Sequence, residues 1–169
     1  MTAIITGDQT NTVGLINSKT AVASTSGTSI DFTGIPAGTK RITVMFNGVS
    51  LSGTSAVQVQ LGAGSVTTSG YTSSTSYIPT AASPTTGRYT SGFVTQAYAA
   101  ANTRTGVIAF SNITGNTWIG SGVLALGDVD VTVTVAGQLA LSGALDRIRI
   151  TTVNGTDTFD AGSINILYE

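Results

Sequence analysis

Acid–base chemistry in this chain rests on carboxylates alone, because its 169 residues include no His and no Cys. Ser-His-Asp and Cys-His machinery is thereby excluded, together with Cys- and His-ligated zinc, iron–sulfur clusters and disulfides. Two acidic pairs are spaced closely enough to act together. Asp128 and Asp130 are two residues apart, so on a strand they share a face and would share a cation. Calcium takes about six to eight oxygens, and two Asp with neighbouring Thr hydroxyls fall short, so the pair reads as the solvated face of a valine-rich strand. Asp157 and Asp160 follow Asn154-Gly155, where Asp commonly bonds its own backbone. A glycosidase needs two carboxylates about 5–9.5 Å apart across a sugar, and nothing in this spacing selects that geometry. The expectation is a non-enzyme with no cofactor and no bound metal.

The remaining candidates are contact residues. Asp146, Arg147 and Arg149 form a charged stripe, which either pairs across strands with acids such as Asp157 or Asp160 or pairs between subunits. Asp146, Arg147, Arg149 and Asp160 are therefore candidate inter-subunit contacts. Tyr71, Tyr77 and Tyr89 lie in or beside a polar stretch from 65 to 87 that reads as a long surface excursion. Their rings either cover a sheet edge or stack on a partner such as a host-surface glycan or protein. Most Phe residues and Trp118 fall in strand-like segments and read as core or interface.

Composition narrows the setting. There are 30 Thr and 18 Ser, while charged residues make up 9%, against about 25% in ordinary soluble domains. Small hydroxyl side chains must then coat the exterior. They cost less to desolvate than Lys or Glu, which favours an assembly component over an enzyme. Seven dispersed basic residues and a net charge of −1 argue against nucleic acid as a partner, since phosphate binding needs clustered cations. No run approaches the ~18–20 apolar residues of a membrane-spanning helix, and the opening residues lack the pattern of a signal peptide, so membrane insertion is not expected.

The elements that must position these residues are strands. Ile42, Val44 and Phe46 alternate with Arg41, Thr43 and Met45; Val57, Val59 and Leu61 with Gln58 and Gln60; Val129 to Val135 with Asp130, Thr132 and Thr134. Ile148 and Ile150 alternate with Arg147 and Arg149, and Ile164 and Ile166 flank Asn165. Period-2 alternation of this kind predicts strands with one dry and one wet face. Asn154-Gly155 predicts a type I′ hairpin joining the strand that ends at Val153 to residues 156–159. Residues 97–106 suit one helical turn or a loop. Ile4, Ile5, Val13, Leu15 and Ile16 give residues 1–18 more aliphatic anchors than a loose tail needs, so this segment reads as an extended assembly arm. The expected fold is all-β: a single antiparallel β-sandwich over 19–169, jelly-roll-like, preceded by that N-terminal arm.

Several blocks add a resemblance. Thr25-Ser-Gly-Thr-Ser-Ile-Asp-Phe-Thr-Gly-Ile-Pro36 and Lys40-Arg-Ile-Thr-Val-Met-Phe-Asn-Gly-Val-Ser50 come first, followed by Val57-Gln-Val-Gln-Leu-Gly62, Gly70-Tyr71 and Gly92-Phe93. The Trp118 region, Leu145-Asp-Arg-Ile-Arg-Ile-Thr-Thr152 and Asn154 through Glu169 complete the set. Together, over about residues 20–169, they resemble the C-terminal module of tail-fibre-like proteins of tailed bacteriophages. The resemblance implies a structural component of the virion, homotrimeric, contacting other virion proteins and the host surface. A capsid decoration protein is the alternative, and a lectin-like glycan-binding module the second.

Overall fold

Alternation of β-branched and small polar residues has the expected consequence: the chain is built from strands, with no helix among the described residues. The computed structural model describes residues 16–77 and 83–169. Two short strands, β1 (Asn17–Ser18) and β2 (Val22–Ala23), precede β3 (Ser29–Thr33), β4 (Arg41–Leu51), β5 (Val57–Ala63) and β6 (Ser65–Val66). The middle holds β7 (Thr72–Tyr77), β8 (Thr85–Tyr89), β9 (Phe93–Val94) and β10 (Arg104–Thr114). Last come β11 (Thr117–Leu126), β12 (Val131–Ala140), β13 (Arg147–Thr152) and β14 (Phe159–Tyr168).

Every pairing is antiparallel. The larger, nine-stranded sheet runs β1-β14-β4-β10-β11-β12-β7-β8, with β2 also on β14; the smaller, five-stranded sheet runs β3-β13-β5-β6, with β9 on β5. Their dry faces meet in one core that includes Ile42, Val44, Phe46, Ile108, Phe110 and Leu124 from the larger sheet and Phe32, Val57, Val59, Leu61, Ile148 and Ile150 from the smaller. Three rings cross it edge to face. Tyr71 meets Phe93 at 5.5 Å between centroids, and Phe93 meets Phe110 at 4.9 Å. Because Phe93 lies in the smaller sheet and Phe110 in the larger, this stack joins the two layers.

Four expectations need correction. Asn154-Gly155 does not close a hairpin, since β13 belongs to the smaller sheet and β14 to the larger. Gly155 alone has positive φ (70°), whereas type I′ needs it at both central residues. The Asn154 side chain explains the difference: its Oδ1 accepts from the Thr156 and Asp157 amides at 3.1 Å each, turning the chain toward the other sheet. The described part of the 65–87 stretch is not a surface excursion either, because β7 inserts beside β12 in the larger sheet and β8 pairs with β7. Its inward residues are Ser73 and Thr75, both buried, which donate to the carbonyls of Gly92 (2.7 Å) and Thr134 (2.8 Å). Hydroxyls satisfied by backbone oxygens replace the aliphatics that would have revealed the period. Gln58 and Gln60 do not face water. Both are buried, and Ser91 covers them, its hydroxyl donating to Gln58 and its carbonyl accepting from Gln60. Finally, Asp128 and Asp130 precede β12 in a turn rather than sharing a strand face, and Asp128 takes the Thr103 amide at 3.0 Å.

At the other margin, β14 bulges twice where it pairs with β4. Gly162 (φ 89°) occupies this bulge, where an added Cβ would lie 2.4 Å from the Gly48 carbonyl oxygen and 2.5 Å from that of Asn47. The distortion lets Ser24, fully buried, donate from its amide to the Gly162 carbonyl and from its hydroxyl to the Ala161 carbonyl.

Candidate functional site

The sequence-selected residues scatter over the molecule. Ile4, Ile5, Val13 and Leu15 lie outside the described residues. Ile16 is 66% exposed and lines a shallow groove with Arg41, Thr43, Leu167, Tyr168 and Glu169. Asn17 and Ser18, assigned to the arm by sequence, instead pair with Tyr168 and Leu167 on β14.

The charged stripe finds its partners within the chain. Arg149 clasps Asp31 on the adjacent β3 (2.7 and 2.9 Å), not Asp157 or Asp160, and Arg147 clasps its own neighbour Asp146 (2.8 and 3.1 Å). Asp160 accepts from Ser50. Partly exposed pairs of this kind are worth about 0.2–1 kcal/mol, and of the two only Arg149–Asp31 joins neighbouring strands.

Two of the carboxylates, Asp146 and Asp157, titrate low. The Arg147 guanidinium, aided by the Gly64 amide, holds Asp146 below the usual carboxylate range, and the Asn154 amide with the Ser55 N–H does the same for Asp157. A folded-state pKa below the unfolded one stabilises the fold above the unfolded value of 3.8 and loses that contribution as pH falls through the folded one. The melting temperature should therefore decline as pH drops from about 5 to about 2. Asp157→Asn should flatten that decline, as followed by thermal melts across the range. An unchanged acid limb in the variant would contradict the assignment.

The three tyrosines separate. Tyr71 is 2% exposed, a core residue and not a surface platform, which corrects the expectation for it. Its hydroxyl accepts the Leu61 amide at 2.8 Å and donates to the Thr67 carbonyl at 2.8 Å, and burial pushes its pKa up. Tyr77 packs edge-on against Tyr98 at 5.9 Å beside the small cluster of Leu126, Val131 and Val133. Tyr89 is half-buried on β8, at the end of the larger sheet.

What the structure brings together instead is a sheet face. Strand register places Met45, Val107, Val123, Thr134 and Ser76 in one row across the outside of the larger sheet. Thr43, Ala109, Ser121, Ala136 and Ser74 form the next row, and Arg41, Ser111, Ile119, Gln138 and Thr72 the one after. On β10, β11 and β12 these rows contain no charged residue, and Val107, Ile119 and Val123 are 46%, 44% and 52% exposed. Apolar residues clustered on one open face mark a contact surface more than single exposed aliphatics do. The sequence held a signal for it. In Val107-Ile108 and Val123-Leu124 an aliphatic faces each way, which breaks the one-dry, one-wet pattern.

The fold thus defines an all-β protein of two antiparallel sheets around one core, with an outer face that carries no charge across β10, β11 and β12. No family model, curated protein or solved structure matches the chain.

Proposed function

We propose that this chain is a non-enzymatic structural component of a bacteriophage virion, a homotrimeric tail-fibre or tail-tip appendage that contacts the host surface. In this reading the sandwich is jelly-roll-like, and the residues that precede β1 form an arm that attaches it to other virion proteins. The observation that carries the reading is the outer face of β10, β11 and β12, where Thr, Ser, Ala and Val replace charge. Such a face meets a copy of itself without like-charge repulsion, and its small side chains lose little rotamer entropy on contact. The low overall charge, 7 Lys+Arg and 8 Asp+Glu in 169 residues, points the same way. The glycan-binding alternative is weakened, since one of its three rings, Tyr71, lies in the core.

Copy number separates tail from capsid. Densitometry of purified particles should find this chain at a handful of copies per virion, as a tail appendage requires. A copy number near that of the major capsid protein would replace this reading with capsid decoration, and absence from purified particles would end both.

A further inference from the structure

The sequence holds two Asn-Gly dipeptides, Asn47-Gly48 and Asn154-Gly155. An asparagine followed by glycine is open to attack by its neighbour, because no Cβ shields the glycine nitrogen as it approaches the side-chain carbonyl carbon. The two stand in opposite circumstances. The Asn154 amide is tied at both ends: its Oδ1 accepts from the Thr156 and Asp157 N–H groups and from the Thr152 hydroxyl, and its Nδ2 donates to Asp157 at 2.8 Å. The Gly155 nitrogen donates to the Thr152 carbonyl at 3.1 Å, so attacking and attacked groups are both held.

Asn47 differs. It is exposed, and no hydrogen bond holds its side chain among the described residues, so the amide is free to rotate. Gly48 (φ 63°) sits where β4 and β10 fall out of register, between the pairs Phe46–Gly106 and Val49–Arg104. Its nitrogen donates to Thr105 Oγ1 at 3.0 Å, on an exposed side chain. Asn47 follows the inward-facing Phe46, so it stands on the outer face of the larger sheet. Beside it, Thr105, Ala125 and Thr132 form a row next to that of Met45, Val107, Val123 and Thr134.

We infer that Asn47 is a site of spontaneous deamidation in the folded chain, and that Asn154, in the same dipeptide, is protected. The Gly48 nitrogen, its proton taken by hydroxide, bonds to Asn47 Cγ; the side-chain nitrogen leaves as ammonia, its extra proton supplied by water, and a succinimide ring closes. Water then opens the ring at either carbonyl, which restores the Gly48 N–H and yields aspartate or isoaspartate. Either product puts a carboxylate on the outer face. On the assembly reading proposed above, on which this consequence alone rests, the new charge weakens contact between copies.

Peptide mapping of the full chain, aged at mildly alkaline pH, tests this. Conversion reads as the mass gain of an amide becoming an acid, and an isoaspartyl methyltransferase labels the isoaspartate fraction. Asn47 should convert about tenfold or more faster than Asn154, since freeing the Asn154 amide costs at least one net hydrogen bond. In concentrated urea, where the folded hydrogen bonds are gone, the two should convert at similar rates. An intact Asn47, or an Asn154 that keeps pace with it in the folded chain, would overturn the inference. So would a difference that persists in urea, which would place its cause in local sequence. Asn47→Asp fixes the product and should lower the associated fraction in sedimentation runs at equal concentration. Association as tight as wild type would overturn the link to assembly, while a wild type that never associates would overturn the assembly reading and leave the mapping result standing.

Discussion

Tyr71→Ala should destabilise the fold by about 3–5 kcal/mol, the range for emptying a buried aromatic site. Two losses combine. The ring is one end of the stack through Phe93 to Phe110 that joins the sheets, so its removal opens a cavity where the layers meet. The hydroxyl also completes the edge of the smaller sheet, where the Leu61 carbonyl accepts from the Thr67 amide and the Leu61 amide donates to Tyr71. Tyr71→Phe separates the terms. It keeps the ring but strands a buried N–H, which should cost about 1–3 kcal/mol. Urea titrations of the three proteins would check this, with a midpoint order of wild type, Phe, then Ala. A Phe variant as stable as wild type would mean that the Leu61 amide finds another acceptor.

Gly162→Ala is the second large effect, at about 2–5 kcal/mol. At φ 89° the backbone suits glycine, and an L-residue there is strained by about 1–2 kcal/mol. The added methyl would also press on two carbonyl oxygens, those of Gly48 and Asn47, in a paired strand that cannot retreat freely. Overpacking of this kind costs about 1–3 kcal/mol. Gly155→Ala is the control: it also has positive φ, but nothing lies within 4 Å of its would-be Cβ. The Gly162 variant should melt well below the Gly155 variant in parallel thermal scans. Equal losses would show that backbone conformation alone, without the close approach, sets the cost.

How far the sequence could be read depended on which side chains faced inward. Strands whose dry face is aliphatic were legible: Ile42-Val44-Phe46, Val57-Val59-Leu61, Ile148-Ile150 and Ile164-Ile166 all lie where alternation puts them. Strand β7 was not, because Ser73 and Thr75 fill its inner face and hydroxyls carry no hydropathy signal. Asn154-Gly155 misled because the same dipeptide serves a hairpin or a side-chain-capped turn, and only the sheet assignment of the next strand distinguishes them. Of the site, the charged stripe was recognisable, but its partner Asp31 stands 118 residues before Arg149 and no local spacing announces it. The neutral outer face emerged only once register had aligned Val107 with Val123. The burial of Arg104 at the start of β10 gave no warning either, since a lone arginine after Ala-Asn-Thr looks like any solvated residue.

The claim beneath the functional reading is that this molecule works by contact between copies through the outer face of β10 and β11. Sedimentation equilibrium of the full chain measures that directly, alongside Val107→Asp, which places charge on the face without touching the core. The wild type should sediment at three times the 17.0 kDa of one chain, and the folded variant as single chains. A wild type that stays monomeric at every concentration, or a variant that remains trimeric, would contradict the account.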